Sequence, residues 1–286
     1  MAMKLLSGKE PAEKIYEELL QSMLQSTNQT PPHLAILYLG ENPASEVYIA
    51  YKKKACERIG IMCSVFHFPS TEKEETVLKT LEEINKNPNI HGVIIQLPLP
   101  ESFSESILFE TMAPEKDVDG LSVINTGKLN RTQQEYFQPA TPAGILYLLD
   151  FYGISVSEKN VVIIGRSNIV GKPLSVLMSR RNATVTLCHS HTKDLSFHTK
   201  NADILISATG KQNLVTGDMV KTGATVIDVG ITRLPNGKIT GDIEKESVMK
   251  VCGALTPVPG GVGPMTIAML LKNTVEARKR MVNYKL

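Results

Sequence analysis

An α/β protein of two domains, the second built on a doubly wound parallel sheet, is predicted by three observations. Short apolar runs alternate with helical patterns along the chain, as parallel strands joined by crossover helices require. The alternation comes in two series, the second starting at the Thr-Pro pair at 141–142, a helix-start signal. In the second series an apolar strand runs into a glycine-bearing turn and then a helix.

The elements follow in order. Residues 9–26 have Ile15, Leu19, Met23 and Leu24 at helical spacing, and TNQTPP (27–32) is a turn. HLAILYLG (33–40) is a buried strand ending at a glycine. Residues 42–60 form a helix, with Asn42 or Ser45 as its cap and Gly60 as its stop. MCSVFHF (62–68) alternates like a strand, 72–87 is a helix charged on one side, and HGVIIQLPLP (91–100) is a strand entering a proline-stiffened loop. In the second series Thr141 caps the helix AGILYLLDF (143–151), with Pro142 at its first position. Strands are expected at 160–165, 183–190, 202–210 and 224–230, with a helix at 172–181 after the first of them. A last helix runs from about Met265 to Arg280. The first domain is thus expected to hold 1–140 with 265–286 packed back on it, and the second, Rossmann-like, to hold 141–264.

Composition excludes several classes. The chain has 286 residues, 42% hydrophobic and 21% charged, ordinary values for a globular protein. A net charge of +2 is too small to recruit nucleic acid in bulk. No apolar run reaches the roughly 20 residues that span a bilayer, and MAMKLLSGKEPAEK lacks a secretory core. Cys56, Cys63, Cys188 and Cys252 form no C-x-x-C pair and read as reduced and structural, as in a reducing compartment such as the cytoplasm. No His/Cys cluster has metal-ligand spacing, so no metal is expected.

The stretch VVIIGRSNIVGKP (161–173) carries the first chemistry. It lacks the middle glycine of G-x-G-x-x-G, having Ser167 there, and its Gly165-to-Gly171 spacing and Pro173 do not fit a nucleotide P-loop. The physics of the turn survives: a strand ends at Gly165, a helix starts at Gly171, and free N–H groups with a positive helix end favour an anion. An NAD site places an acid at the end of the next strand to hold the ribose 2′-OH. Here that strand ends Cys188-His189-Ser190-His191, with Arg166 in the turn, which favours the 2′-phosphate of NADP. The alternative is a strand–turn–helix with no ligand.

A second cluster lies in the first domain. On the 42–60 helix, Val47, Tyr51, Ala55 and Ile59 recur every four residues and are expected to be the buried stripe. Tyr48 and Lys52 stack beside it, while Lys53 and Lys54 point elsewhere. A lysine at the edge of a buried face loses solvent, its pKa falls, and the neutral amine can act as a base; otherwise the three lysines form a solvated face. Gln96 ends an apolar strand at the carboxyl edge of a parallel sheet, where such sheets put ligands. In PEKDVDG (114–120), Asp117 and Asp119 are each a turn residue or a cleft acid. TPVPGGVGPMT (256–266) is a stiff loop with little side-chain bulk, either lining a flat ring or connecting to the last helix.

In this order and spacing, YIAYKKKA, GVIIQLPLP, PEKDVDG, VVIIGRSNIVGKP, ATVTLCHSHT and TPVPGGVGPMT closely resemble the bifunctional methylenetetrahydrofolate dehydrogenase/cyclohydrolase family over essentially the whole chain. The resemblance implies NADP-dependent oxidation of 5,10-methylenetetrahydrofolate to the 5,10-methenyl form, then hydrolysis to 10-formyltetrahydrofolate, in the one-carbon metabolism that serves purine biosynthesis. It puts the catalytic lysine on Lys52, with Tyr48, Gln96 and the pterin-binding Asp119 around it. It puts cofactor contacts on Gly165, Arg166, Ser167, Ser190 and Ile231, and folate contacts on Pro257, Gly260, Gly261 and Pro264. His191 departs from the lysine some members carry there. The resemblance further implies a homodimer with a cleft between the two α/β domains and tetrahydrofolate derivatives as ligands; a cytoplasmic place, with neither nucleic acid nor membrane as a partner, is expected. The rival readings are another two-domain NADP-dependent dehydrogenase and a non-enzymatic module whose Lys52–Lys54 run binds nucleic acid.

Overall fold

A computed structural model describes residues 3–25, 30–131, 137–234 and 237–283. Residues 27–29 of the turn expected at 27–32, with the end of the first helix at residue 26, lie outside the described residues. In chain order the first half carries β1 (Lys4–Leu5), α1 (Lys9–Leu24), β2 (His33–Leu39), α2 (Pro43–Arg58), β3 (Met62–Phe68), α3 (Glu74–Lys86), β4 (Gly92–Gln96), α4 (Glu105–Thr111) and α5 (Val123–Asn130). The second half carries α6 (Ala140–Phe151), β5 (Asn160–Ile164), α7 (Gly171–Arg180), β6 (Thr184–Cys188), α8 (Leu195–Thr199), β7 (Ile204–Ser207) and β8 (Thr225–Asp228). It closes with β9 (Thr232–Arg233), β10 (Ile239–Thr240), α9 (Lys245–Val248), β11 (Ala254–Leu255) and α10 (Val262–Asn283). Among the described residues no helix is long and apolar enough to cross a membrane.

The chain divides into two compact units, one of Met1–Glu13 with Thr141–Thr266, the other of Lys14–Ala140 with Ile267–Leu286. The second of these is built on a parallel three-stranded sheet in the order β3-β2-β4. Its central strand is apolar almost throughout, because both of its faces are covered. Leu37, Leu39, Val93 and Ile95 of the sheet pack with Val77, Leu81 and Ile84 of α3 and with Leu108 and Phe109 of α4. The i, i+4, i+7 spacing of the α3 residues is what puts them on one face. Gln96 is the last residue of β4, opposite Tyr38, so it sits at the carboxyl edge of the sheet.

Helix α2 begins as its sequence dictates. Asn42 accepts hydrogen bonds from the N–H groups of Ala44 and Ser45 at 2.9 and 3.2 Å, and Pro43 takes the first helical position. Its buried face differs from expectation. Ser45, Ile49, Lys52 and Cys56 point inward, followed by Ile59, whereas Tyr51 is 56% exposed and Val47 and Ala55 are only half-buried. The stripe is rotated because a lysine occupies a core position, a choice that apolar periodicity cannot register.

The unit that holds 141–266 contains a six-stranded, all-parallel sheet in the order β1-β11-β8-β7-β5-β6. From β5 the chain passes to β6 on one side and then to β7 on the other, so the order reverses between β5 and β7. A crevice at the carboxyl ends of such strands is where doubly wound sheets bind ligands. The first strand, β1, belongs here, pairing with β11 through Lys4 N–H to Gly253 O (2.9 Å) and Leu6 N–H to Leu255 O (2.8 Å). A strand of two residues leaves no period for sequence to show. Thr141 does not cap: α6 starts one residue earlier, and the Thr141 hydroxyl bonds that of Thr266 at 3.0 Å.

Candidate active site and dinucleotide turn

Lys52 is 8% exposed, and its ammonium group donates to Gln96 Oε1 at 2.9 Å. Two elements fix this contact. Helix α2 aims Lys52 at the carboxyl end of the sheet, and β4 ends on Gln96. The Gln96 carboxamide donates through Nε2 to the carbonyl of Leu97 at 2.8 Å, which leaves Oε1 facing the lysine. Burial pushes the Lys52 amine below the usual lysine range, and the carboxylate of Asp119 resists that fall. Burial raises Asp119 above the usual carboxylate range, opposed by Lys52 and helped by Asp117. Tyr48, one turn before Lys52, is half-buried, and loss of solvent raises its phenol. Lys52, Gln96 and Asp119 thus form one electrostatic group, with Tyr48 on the same helix. A desolvated amine held by a carboxamide and near a carboxylate can take a proton from water.

The two acids of KDVDG separate cleanly. Asp117 is fully buried and structural: it accepts from Leu121 N–H (3.1 Å), Ser122 N–H (2.7 Å) and Asn125 Nδ2 (2.8 Å), closing the turn before α5. Asp119 is partly exposed beside the lysine.

In the other unit, Gly165 ends β5 with φ +115°, and a Cβ there would collide with the carbonyl oxygen of Ala208. Gly171 starts α7, where a Cβ would strike the Gly165 carbonyl. Between them Arg166, Ser167, Asn168 and Ile169 are exposed. Ser167 Oγ accepts from Val170 N–H at 3.2 Å, and Val170, the residue before the helix, offers no capping side chain. The first turn of α7 carries no acidic residue, and Arg166 lies in the turn that leads into it. His189 lies close enough that lost solvent, Arg166 and His191 lower its pKa. Ser190 and His191 are exposed there, and Ile231 is 44% exposed beyond β8. These residues fit a dinucleotide carrying an extra phosphate.

In the 257–265 loop, Gly260 has φ +101° and its carbonyl accepts from Gly8 N–H at 2.9 Å. Gly261 is buried, and a Cβ on it would lie 2.5 Å from the Pro257 carbonyl. Pro257, Gly260 and Pro264 remain partly exposed. Gly261 is therefore already required by close main-chain approach within the unit, and Gly260 by its left-handed φ.

Sequence reasoning missed a buried pair beside the turn. Asp228, the last residue of β8, accepts from Gly230 N–H (3.1 Å), Asp242 N–H (2.9 Å) and Ile243 N–H (3.1 Å). Asp242 is fully buried and accepts from Ser207 Oγ (2.7 Å), Thr209 N–H (2.7 Å), Thr209 Oγ1 (2.9 Å) and Lys211 N–H (2.9 Å). The only local signal was a glycine near each acid, Gly230 and Gly241. A Cβ at either would run into the opposite carboxylate.

A doubly wound sheet with an open anion-binding turn, in one chain with a second α/β unit holding a desolvated lysine, defines a two-domain NAD(P)-binding enzyme. Comparison with known proteins narrows the class. The family model for the tetrahydrofolate dehydrogenase/cyclohydrolase catalytic domain matches residues 6–119, and that for the NAD(P)-binding domain of the same enzymes matches 139–282. The chain belongs to the tetrahydrofolate dehydrogenase/cyclohydrolase family. It is 47% identical to the bifunctional protein FolD of Moorella thermoacetica, over 98% of this chain and all of that one. The bifunctional FolD structure from Campylobacter jejuni superposes with a TM-score of 0.94 at 46% identity, covering 98% of this chain and 99% of the other. The Trypanosoma brucei FolD, solved with NADP cofactor and an inhibitor, gives 0.94 at 32% identity over 99% of each chain.

Proposed function

We infer that the protein is a bifunctional enzyme of one-carbon metabolism. It oxidises 5,10-methylenetetrahydrofolate to 5,10-methenyltetrahydrofolate with NADP and hydrolyses the product to 10-formyltetrahydrofolate. The observation that carries the residue assignment is the buried Lys52–Gln96 hydrogen bond.

NADP, when bound, supplies a hydride acceptor. Hydride leaves a carbon flanked by two nitrogens, which stabilise the resulting cation themselves, so this step asks the protein for alignment rather than for an acid–base pair. Gly165, Arg166, Ser167 and Ser190 would hold the phosphates, and the main chain at Ile231 would complete the cofactor contacts. Hydrolysis needs a base. Neutral Lys52 takes the proton from the attacking water, Gln96 holds the amine in place and sets its protonation, and Tyr48 packs against the pterin. Asp119 accepts from the pterin amino and ring N–H groups, and Pro257, Gly260, Gly261 and Pro264 contact the folate. Family membership supports the further reading of a cytoplasmic homodimer; sedimentation velocity checks the dimer and cell fractionation the compartment.

A Lys52→Met variant separates the steps. It is expected to lose about 10²–10⁴-fold in clearing methenyltetrahydrofolate, the range that a positioned general base contributes, while still forming methenyl product with NADP. Hydrolysis at the wild-type rate would remove Lys52 from the mechanism. Absence of both reactions in the wild type would overturn the folate assignment.

A further inference from the structure

We propose that Asp242 is a positioning residue of the dinucleotide site, its carboxylate fixing segment 207–211 at the point where the strand order of the six-stranded sheet reverses. The proposal rests on the NADP reading above and extends it to a buried residue outside the turn itself.

The geometry runs in one chain of contacts. Segment 207–211 leaves the carboxyl end of β7, and the turn 165–171 leaves the carboxyl end of β5, its neighbour. The two touch: Ala208 N–H donates to Ile164 O at 2.8 Å, and the Ala208 carbonyl lies where a Gly165 Cβ would sit. The position of 207–211 therefore sets one wall of the phosphate turn. A single carboxylate gathers the side-chain and main-chain donors of 207–211. Of the four hydrogen bonds Asp242 accepts, all come from Ser207, Thr209 and Lys211. Two are from main-chain N–H groups, which fixes the path of the chain itself.

Asp242 is in turn held from behind. Its own N–H donates to Asp228 Oδ1 at 2.9 Å, and Ile243 N–H donates to Asp228 Oδ2 at 3.1 Å. Asp228 also takes the Gly230 N–H, just before Ile231. Thr232 Oγ1 donates to the Gly210 carbonyl at 3.0 Å, tying the segments after β7 and β8 together. The two acids thus connect three segments at one sheet edge. A buried acid with four partners costs more to disturb than a surface one, so the arrangement transmits a change at position 242 to the turn.

The test uses the two activities against each other, because hydrolysis consumes no dinucleotide. Asp242→Asn keeps the shape but replaces one acceptor oxygen by a donor, which opposes the donors facing it. NADP dissociation constants are measured by titration, together with KM for NADP, kcat of oxidation, and the rate of methenyltetrahydrofolate loss. The expected result is a rise of at least tenfold in Kd and KM for NADP, with hydrolysis within about twofold of wild type. Thr209→Val, which removes one of the four bonds and keeps the main-chain N–H, is expected to raise the NADP Kd about three- to tenfold and covers the case in which Asp242→Asn does not fold. An NADP Kd within twofold of wild type in either folded variant overturns the proposal. So does loss of hydrolysis in step with NADP binding, which marks a general structural role. Direct NADP titration separates this from the functional assignment: a wild-type protein that binds NADP but turns over no folate sinks that assignment alone.

Discussion

Replacing Gln96 by Ala tests how the lysine is tuned. In the structure the Lys52 ammonium group has the Gln96 oxygen at 2.9 Å in a buried setting. A hydrogen bond to a charged group contributes about 1.5–3 kcal/mol, and it favours the charged form of the amine over the neutral one. Removing it lowers the Lys52 pKa further, and at 1.36 kcal/mol per unit the change is about 1–2 units downward. The base in the proposed hydrolysis is the neutral amine, so activity is gained as pH rises through that pKa. The acid limb of the hydrolysis profile in Gln96→Ala is therefore expected to move about 1–2 units toward lower pH, although the maximal rate falls as the amine loses its anchor. Gln96→Glu places an anion against the ammonium group and moves the limb the other way. The assay is the loss of methenyl absorbance across pH, corrected for the uncatalysed rate. A limb that stays in place in both variants refutes the idea that this amine is the titrating base. A shift of the same sign in both refutes the electrostatic account.

Two further outcomes follow from the other unit. Arg166→Ala is expected to raise KM for NADP by about 10- to 100-fold, the equivalent of one charge-assisted hydrogen bond, and to leave KM for NAD nearly unchanged; equal losses for both would remove Arg166 from 2′-phosphate recognition. Asp228 is pushed up to about 6 by burial and by Asp242, against its ordinary value of 3.8. A raised carboxylate pKa means that the folded state binds the proton more tightly, so this group adds stability as pH falls through about 6 and withdraws it as pH rises. Urea unfolding of wild type and Asp228→Asn should then show the wild type gaining roughly 1 kcal/mol on the variant between pH 7 and pH 5; a constant difference would mean that Asp228 is not perturbed.

Most of the architecture was legible because it rests on local signals. Asn42-Pro43 and Gly60 bracket α2 where the sequence put them, and the apolar runs at β2, β4 and β5 became central or buried strands. The strands came out shorter than their apolar runs: the run 202–210 holds a strand only over Ile204–Ser207, and its remainder is the segment that Asp242 holds. The face of α2 was misread because its stripe contains Ser45 and Lys52, polar residues buried by tertiary contacts. Asp119 and Asp117 could not be told apart from sequence, since their difference lies in partners four to eight residues away that only a folded turn brings together. The Asp228–Asp242 pair left no trace in the sequence beyond the glycine near each acid. Each acid sits in an ordinary turn context, and the contact between them spans a loop that pattern reading does not cross.

The pairing of β1 with β11 has a consequence for how the chain is made. Lys4 lies opposite Ala254, about 250 residues later. A ribosome adding about 5–20 residues per second releases the first strand well before its partner exists. Until then Leu6, fully buried in the finished protein, has no sheet to enter. The remaining strands of that sheet can assemble first, in the order they emerge, and the N-terminal segment must be held back and docked last. The segment around Leu6 is therefore among the latest to reach its native place, although it leaves the ribosome about 250 residues ahead of the strand that receives it.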